Sequence, residues 1–206
     1  MRRFLFLITV LFSAVAAFAQ TPAEIISRME KVMNEHDSEG IAMTIDVKVP
    51  ILGTMSTRSY GLGEKARVEA KAMGVELITW SDGETEWTYD AKKNEVTIEN
   101  AKIERSASEG DAEMFTGLTE GYDVTIKRET ADAWHLLCKK SKDNPNKDDP
   151  DKLDLVVAKG TYYPVSLTTR VSGMALTMRD ISFGVSEKQV TFDWNDYPGV
   201  TVVDKR

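Results

Sequence analysis

The sequence predicts a mainly β chain with a few helices, an α+β fold built on one large antiparallel sheet that curls and is covered by an N-terminal helix and a helical lid. Three observations point there. Ile41, Met43, Ile45, Val47 and Val49 alternate with Ala42, Thr44, Asp46 and Lys48, the period-two signature of a half-buried strand. Similar runs recur at hairpin spacing near 52–60, 65–72, 75–80, 85–90, 95–99, 122–129, 133–141, 153–158, 162–171, 174–183, 190–194 and 200–203. Ahead of them, Thr21-Pro22-Ala23-Glu24 is a capping box with proline at the first helical position, and Ile25, Ile26, Met29, Val32 and Met33 follow at helical spacing. A meander of about a dozen strands is too long to stay flat, because twisted sheets rarely exceed roughly ten strands without curling toward a barrel.

The chain begins with Arg2 and Arg3, an apolar run from Phe4 to Phe12 broken by one threonine, and Ala17-Phe18-Ala19, a small-x-small cleavage signal. Residues 1–19 therefore read as a secretory signal peptide and 20–206 as one domain. Phe4 to Ala19 is too short for a membrane span, which takes about 20 residues. The only cysteine, Cys138, permits no internal disulfide, and no cysteine near the cleavage site offers a lipid attachment point. The expected product is a soluble monomer in the periplasm. Its formal net charge of −7 becomes about −9 once Arg2 and Arg3 leave with the leader. Such an acidic balance argues against nucleic acid and against anionic membranes as partners.

Turn chemistry sets the expected registers. Asp82-Gly83, read as a two-residue loop, places Ser81 opposite Glu84, Trp80 opposite Thr85 and Ile78 opposite Trp87. A four-residue loop at Ala91 to Asn94 sets Tyr89 against Val96 and Trp87 against Ile98. Ser172-Gly173 sets Val171, Thr169 and Leu167 against Met174, Leu176 and Met178. Three-residue loops at 159–161 and 130–132 set Val157, Leu155 and Leu153 against Tyr163, Val165 and Leu167, and Trp134, Leu136 and Cys138 against Arg128, Ile126 and Val124. The result is one sheet with a single apolar face. Met43, Ile45, Val47, Ile78, Trp80, Trp87, Tyr89, Leu167, Met174 and Met178 are the residues expected to line it. Met114, Phe115 and Leu118 follow Ser108 and Asp111 and suit a short helix, the movable part of the cover. An ordinary core under the helices is the competing reading of the same stripe. Against it stand the methionines, all but one of the nine lying beyond the leader, whose flexible thioethers suit variable apolar ligands.

At Ser81-Asp82-Gly83, with Trp87, Tyr89 and Asp90 following, and at the ending Phe192 through Tyr197-Pro198-Gly199-Val200-Thr201-Val202-Val203-Asp204, the chain resembles the outer-membrane lipoprotein carrier proteins, the LolA-like family. The resemblance spans 20–206. It implies an open β half-barrel covered by helices, whose apolar interior receives the acyl chains of lipoproteins released from the inner membrane. It implies as partners an inner-membrane lipoprotein-releasing transporter and an outer-membrane acceptor, and transport without chemistry. The family's arginine-proline step ahead of the serine-aspartate-glycine turn is missing: the region reads Gly61-Leu62-Gly63-Glu64-Lys65-Ala66-Arg67, with Lys65 and Arg67 as the cations nearest that position.

Other chemistry finds little support in the sequence. His36 is placed at the end of the first helix and His135 alternates toward solvent, so no His, Cys and acid constellation forms. No catalytic residue, cofactor or metal site is expected. Asp143, Asn144, Asn146, Asp148, Asp149 and Asp151 are oxygen-rich, but two prolines and the absence of an EF-hand glycine and glutamate mark a solvated loop, with weak calcium binding as the alternative. A lipid-binding or lipoprotein-sensing module without a carrier role is the second functional reading.

Overall fold

The computed structural model describes residues 20–51, 53–72, 74–101, 115, 118–144, 146, 147 and 149–206. The proposed leader, Met114 and most of the stretch read as a lid lie outside them. Helix α1 (Pro22–Glu35) opens the described chain, with Thr21 and Glu24 forming the expected capping box and His36 as its C-cap. Then come β1 (Ile41–Val49), β2 (Gly53–Leu62), β3 (Lys65–Ala72), β4 (Val75–Ser81), β5 (Thr85–Asp90) and β6 (Glu95–Asn100). A one-turn helix, α2 (Leu118–Gly121), leads into β7 (Tyr122–Glu129), β8 (Ala133–Lys140), β9 (Lys152–Ala158), β10 (Pro164–Val171) and β11 (Met174–Phe183). A second short helix, α3 (Glu187–Val190), precedes the last strand, β12 (Thr201–Asp204).

These strands make one open, curled sheet of 12 strands in the order β12-β6-β5-β4-β3-β2-β1-β11-β10-β9-β8-β7. All its pairings are antiparallel except β12 on β6, which is parallel. The strand expected at 190–194 is not one. Ser186 caps α3 with Gln189 in a capping box, and residues 191–200 continue as an irregular strap that ends by feeding β12 onto the sheet edge.

Two of the five predicted registers hold as drawn, 91–94 and 172–173; for the loop expected at 130–132 Val124 and Ile126 meet Cys138 and Leu136 as expected, but a bulge after Ile126 sets Arg128 against His135 and Glu129 against Trp134. Two shift. At the Asp82-Gly83 turn the Asp82 amide donates to the Thr85 carbonyl at 3.2 Å, and the Asp82 carboxylate accepts from the Glu84 and Thr85 amides. The turn is therefore centred on Gly83-Glu84, and Trp80 faces Trp87 while Ile78 faces Tyr89. A slip of two preserves which side each residue takes. At 159–161 the loop is longer, because Tyr162 adopts φ 59, and Leu167 and Thr169 meet Leu155 and Leu153.

The larger correction concerns the single apolar face. Cross-strand partners share a side of the sheet. Met43 faces Ser59, Ser59 faces Val68, Val68 faces Thr79, and Thr79 faces Thr88. Ile78, Trp80, Trp87 and Tyr89 consequently point to the opposite side from Met43, Ile45, Val47, Leu167, Met174 and Met178. Each side has its own cover. On the helix side α1 buries Ile25, Ile26, Met29 and Met33 against Met43, Leu136, Leu155, Leu167 and Met178. On the other, the strap packs Val185 and Val190 on Ala42, Tyr60 and Leu62, and lays Phe192 and Tyr197 on Trp80, Trp87 and Tyr89. The chain entering β1 runs close against β2 and the start of the strap-side cover. Gly40 has φ 72, and a Cβ there would stand 2.5 Å from the Gly61 carbonyl oxygen.

A charged pin fixes β11, β1 and β2 on the strap side, next to a bulge at Asp180 (φ 54). Arg179 Nε donates to Asp46 Oδ2 at 2.6 Å and the Ser56 hydroxyl donates to Asp46 Oδ1 at 2.5 Å. The Arg179 hydrogen bond, then that of Ser56, holds the Asp46 carboxyl below the usual carboxylate range. A depressed folded-state pKa contributes stability that is present above the unfolded-state pKa and lost as pH falls through the folded-state value. Asp46→Asn is thus expected to have a lower urea midpoint than wild type at neutral pH, with the gap closing in acid. A gap that stays constant across that range would show that the carboxylate charge contributes nothing there.

Candidate functional site

The helix side of the sheet carries a continuous apolar strip that begins under α1 and runs out from beneath it. Met43, Leu167 and Met178 lie buried under the helix, joined by Phe115 and Leu118, with Ile45 packed at their margin. Beyond that point no described residue covers it. Val47 is half-buried between Met55 on β2 and Leu176 on β11, and Met174 pairs with Val171 at the β10–β11 turn. Met55, Val171 and Met174 are 49%, 49% and 38% exposed. Among the described residues the strip is closed at one end and open at the other.

Among the expected lining residues, six share this strip: Met43, Ile45, Val47, Leu167, Met174 and Met178. Phe115 and Leu118 cap its buried end, where the Leu118 amide donates to Glu30 of α1 at 3.2 Å. Ile78, Trp80, Trp87 and Tyr89 do not belong to it. The Phe192 ring stacks on Trp87 at 5.6 Å with planes 6° apart, meets Trp80 edge-on at 5.3 Å, and Tyr197 lies 4.5 Å from Tyr89. Aromatic pairs in this range contribute about 0.5–1.5 kcal/mol beyond area burial. The aromatic stripe fastens the strap.

Sequence reasoning did not single out Met55, Val171 and Leu176, although all three alternate in phase with residues that it chose. It also passed over the hold that Tyr162 and Tyr163 take on α1 from the β9–β10 turn. Gln20 and Arg28 donate to the Tyr162 hydroxyl at 2.5 and 2.7 Å, and the Arg28 guanidinium lies over the Tyr162 ring. At the other end of the helix His36 Nε2 lies 2.9 Å from the Tyr163 hydroxyl, and the His36 ring stacks on Phe183. Lys65 and Arg67 play no part in this. Both project on the strap side, Lys65 paired with Glu187 at 2.7 Å and Arg67 with Glu69 at 2.7 Å beneath the rings of Tyr60 and Trp80.

The ionisable groups near the strip are quiet. Cys138 is fully buried on β8, and desolvation pushes its thiol up to about 12, so it is protonated and unreactive at neutral pH. Tyr122, buried beside Asp149, is likewise pushed up to about 12. His135 Nε2 lies 3.0 Å from Arg128 on the outer edge of the sheet. In the oxygen-rich loop Asn144 and Asn146 donate to Asp149, which ties its carboxylate to the loop's own amides. Among the described residues no three His, Cys, Asp or Glu side chains converge as metal ligands. A hollow of about 460 Å³ opens mainly on the strap side, lined by Asp151, Lys152, Asp154, Thr168 and Arg170 among others.

No protein-family model matches the chain, and no curated protein matches it. Solved structures do. An uncharacterized conserved protein from Thermus thermophilus is similar at 17% identity and TM-score 0.46, over 90% of this chain and 100% of that one. A putative outer membrane lipoprotein-sorting protein domain from Vibrio parahaemolyticus is similar at 12% identity and TM-score 0.29, over 84% and 97%. A LolA superfamily protein from Nitrosomonas europaea is also similar, at 13% identity and TM-score 0.33, over 85% of this chain and 100% of that one.

Proposed function

We propose that the chain is an exported, periplasmic carrier that binds acyl chains of lipoproteins along the helix side of its sheet and releases them unchanged. The carrying observation is the strip itself, apolar from Met43 to Met174, roofed by α1 at one end and, among the described residues, open at the other, where Met55, Val171 and Met174 are exposed. A plain core would close over Met55, Val171 and Met174. The family resemblance at Ser81–Asp90 and at the carboxy terminus supports the same reading, with a releasing transporter and an outer-membrane acceptor as its partners. No step in it requires a catalytic group.

Under α1 the strip is filled. Ile25, Ile26, Met29, Met33, Met43, Leu155 and Val157 all have no solvent exposure. An acyl chain therefore lies first on the open end, against Val47, Leu176 and Met174, and goes deeper only as α1, Phe115 and Leu118 move aside. The Tyr162 and Tyr163 contacts resist that movement. Native mass spectrometry of protein taken from the periplasm, followed by extraction of what copurifies, tests the reading. Bound acylated protein or lipid is the expected result. A ligand-free protein that also fails to release lipoproteins from spheroplasts would overturn it in favour of an interaction module without carriage.

A further inference from the structure

The end of the sheet bearing the β1–β2 and β10–β11 turns is unlike the rest of this acidic chain. β1 pairs with both β2 and β11, so the two turns lie side by side. Ile51 stands in the first of them with φ 71 and its side chain wholly in solvent, at 106% relative exposure. A β-branched residue with positive φ is an outlier, and an apolar one so placed gains nothing from the fold around it. Met55, Val171 and Met174 continue the apolar surface on the helix side. Contiguous exposed apolar patches mark interaction sites.

The charge around this patch indicates what covers it. The chain carries −7 overall, yet between residues 47 and 62 and between 155 and 179 there is no aspartate or glutamate. Lys48 and Arg170 are exposed at the level of the patch, on its outer side, with Ala175 between them facing each. Asp151 and Asp154 line the hollow that Arg170 also lines, which leaves Lys48 as the cation to test. Apolar side chains at a tip, with Lys48 on the rim and no acid in either turn, match the interface of a bilayer that contains anionic lipid.

We infer that this tip docks on the surface of an anionic lipid bilayer, with Ile51, Met55, Val171 and Met174 entering the interface and Lys48 meeting headgroup phosphates. The inference deepens the carrier reading, since it sets the open end of the strip against the membrane from which an acyl chain departs. It reverses, for this one surface, the expectation drawn from net charge. Flotation of the purified protein with phosphatidylcholine vesicles, with and without a fraction of phosphatidylglycerol, tests it. Binding is expected to the mixed vesicles, reduced roughly tenfold or more in Ile51→Asp and in Met174→Asp. Lys48→Glu is expected to lose the preference for phosphatidylglycerol. Ile51 is fully exposed, so its replacement leaves the fold intact, which circular dichroism checks. Absence of flotation, or equal flotation of both aspartate variants, would overturn the inference, as would a vesicle-independent dimer that Ile51→Asp converts to monomer. Uptake of a soluble fluorescent fatty acid by wild type, measured in parallel, separates the two claims. Uptake without flotation sinks the docking surface alone, and flotation without uptake sinks the carrier alone.

Discussion

Trp80→Ala is expected to lower the unfolding free energy by about 3–5 kcal/mol, the range for truncating a buried large aromatic, and to leave the affinity for a fatty-acid probe unchanged. Trp80 is 4% exposed and sits where the strap closes on the sheet, against Phe192 at 5.3 Å and Tyr197 at 5.6 Å. Its removal deprives both rings of a neighbour and exposes the edge of Trp87, directly opposite across the β4–β5 pair. The strap also delivers β12 to β6, so the loss reaches the sheet edge. Urea unfolding measures the first effect and probe titration the second. A folded Trp80→Ala protein with weakened probe binding would place the ligand on the strap side and contradict the assignment made from register.

Met29→Ala acts on the other side with a different signature. Met29 has no solvent exposure and fills the space between α1 and the strip. Truncation is expected to cost about 2–5 kcal/mol in stability and to raise affinity for the same probe. The physical reason is the void. An apolar cavity too poor in polar partners to hold water stays dry and accepts an apolar ligand, and here the void would lie on the path of an entering chain. Stability and affinity should thus move in opposite directions. A variant that loses stability with no gain in binding would mean that the chain never passes beneath α1.

Much of this was legible before the structure. The capping box at Thr21 and Glu24, the alternation of β1, and the turns at 91–94 and 172–173 are local signals, and local signals survive into the fold. The sidedness of the sheet was not local. It depends on the connections at 50–52, 63–64 and 73–74, and each link must be placed to the residue before Met43 can be compared with Trp80. On β2 and β3 the pattern gives no help, because the helix side carries Thr57, Ser59, Ala66 and Val68 while the strap side carries Arg58, Tyr60, Arg67 and Glu69. Neither side is clearly apolar there, and the apolar face changes sides across that stretch. The strap was misread for a related reason. Val190 and Phe192 alternate like a strand, but the Ser186–Gln189 capping box and the attraction of the aromatic stripe set their conformation. The hold of Tyr162 and Tyr163 on α1 escaped notice because a two-residue aromatic step in a turn has no periodicity to read.

The central claim is that the ligand lies on the helix side, along Val47, Leu176 and Met174, and not on the aromatic side. A fatty acid carrying a photoactivatable diazirine near its methyl end, irradiated in complex with the protein and mapped by peptide mass spectrometry, tests this most directly. Adducts on β1 and β11 at Val47, Leu176 or Met174, with further adducts on α1, are the predicted result. Adducts confined to Trp80, Trp87, Tyr89 or Phe192 would contradict it.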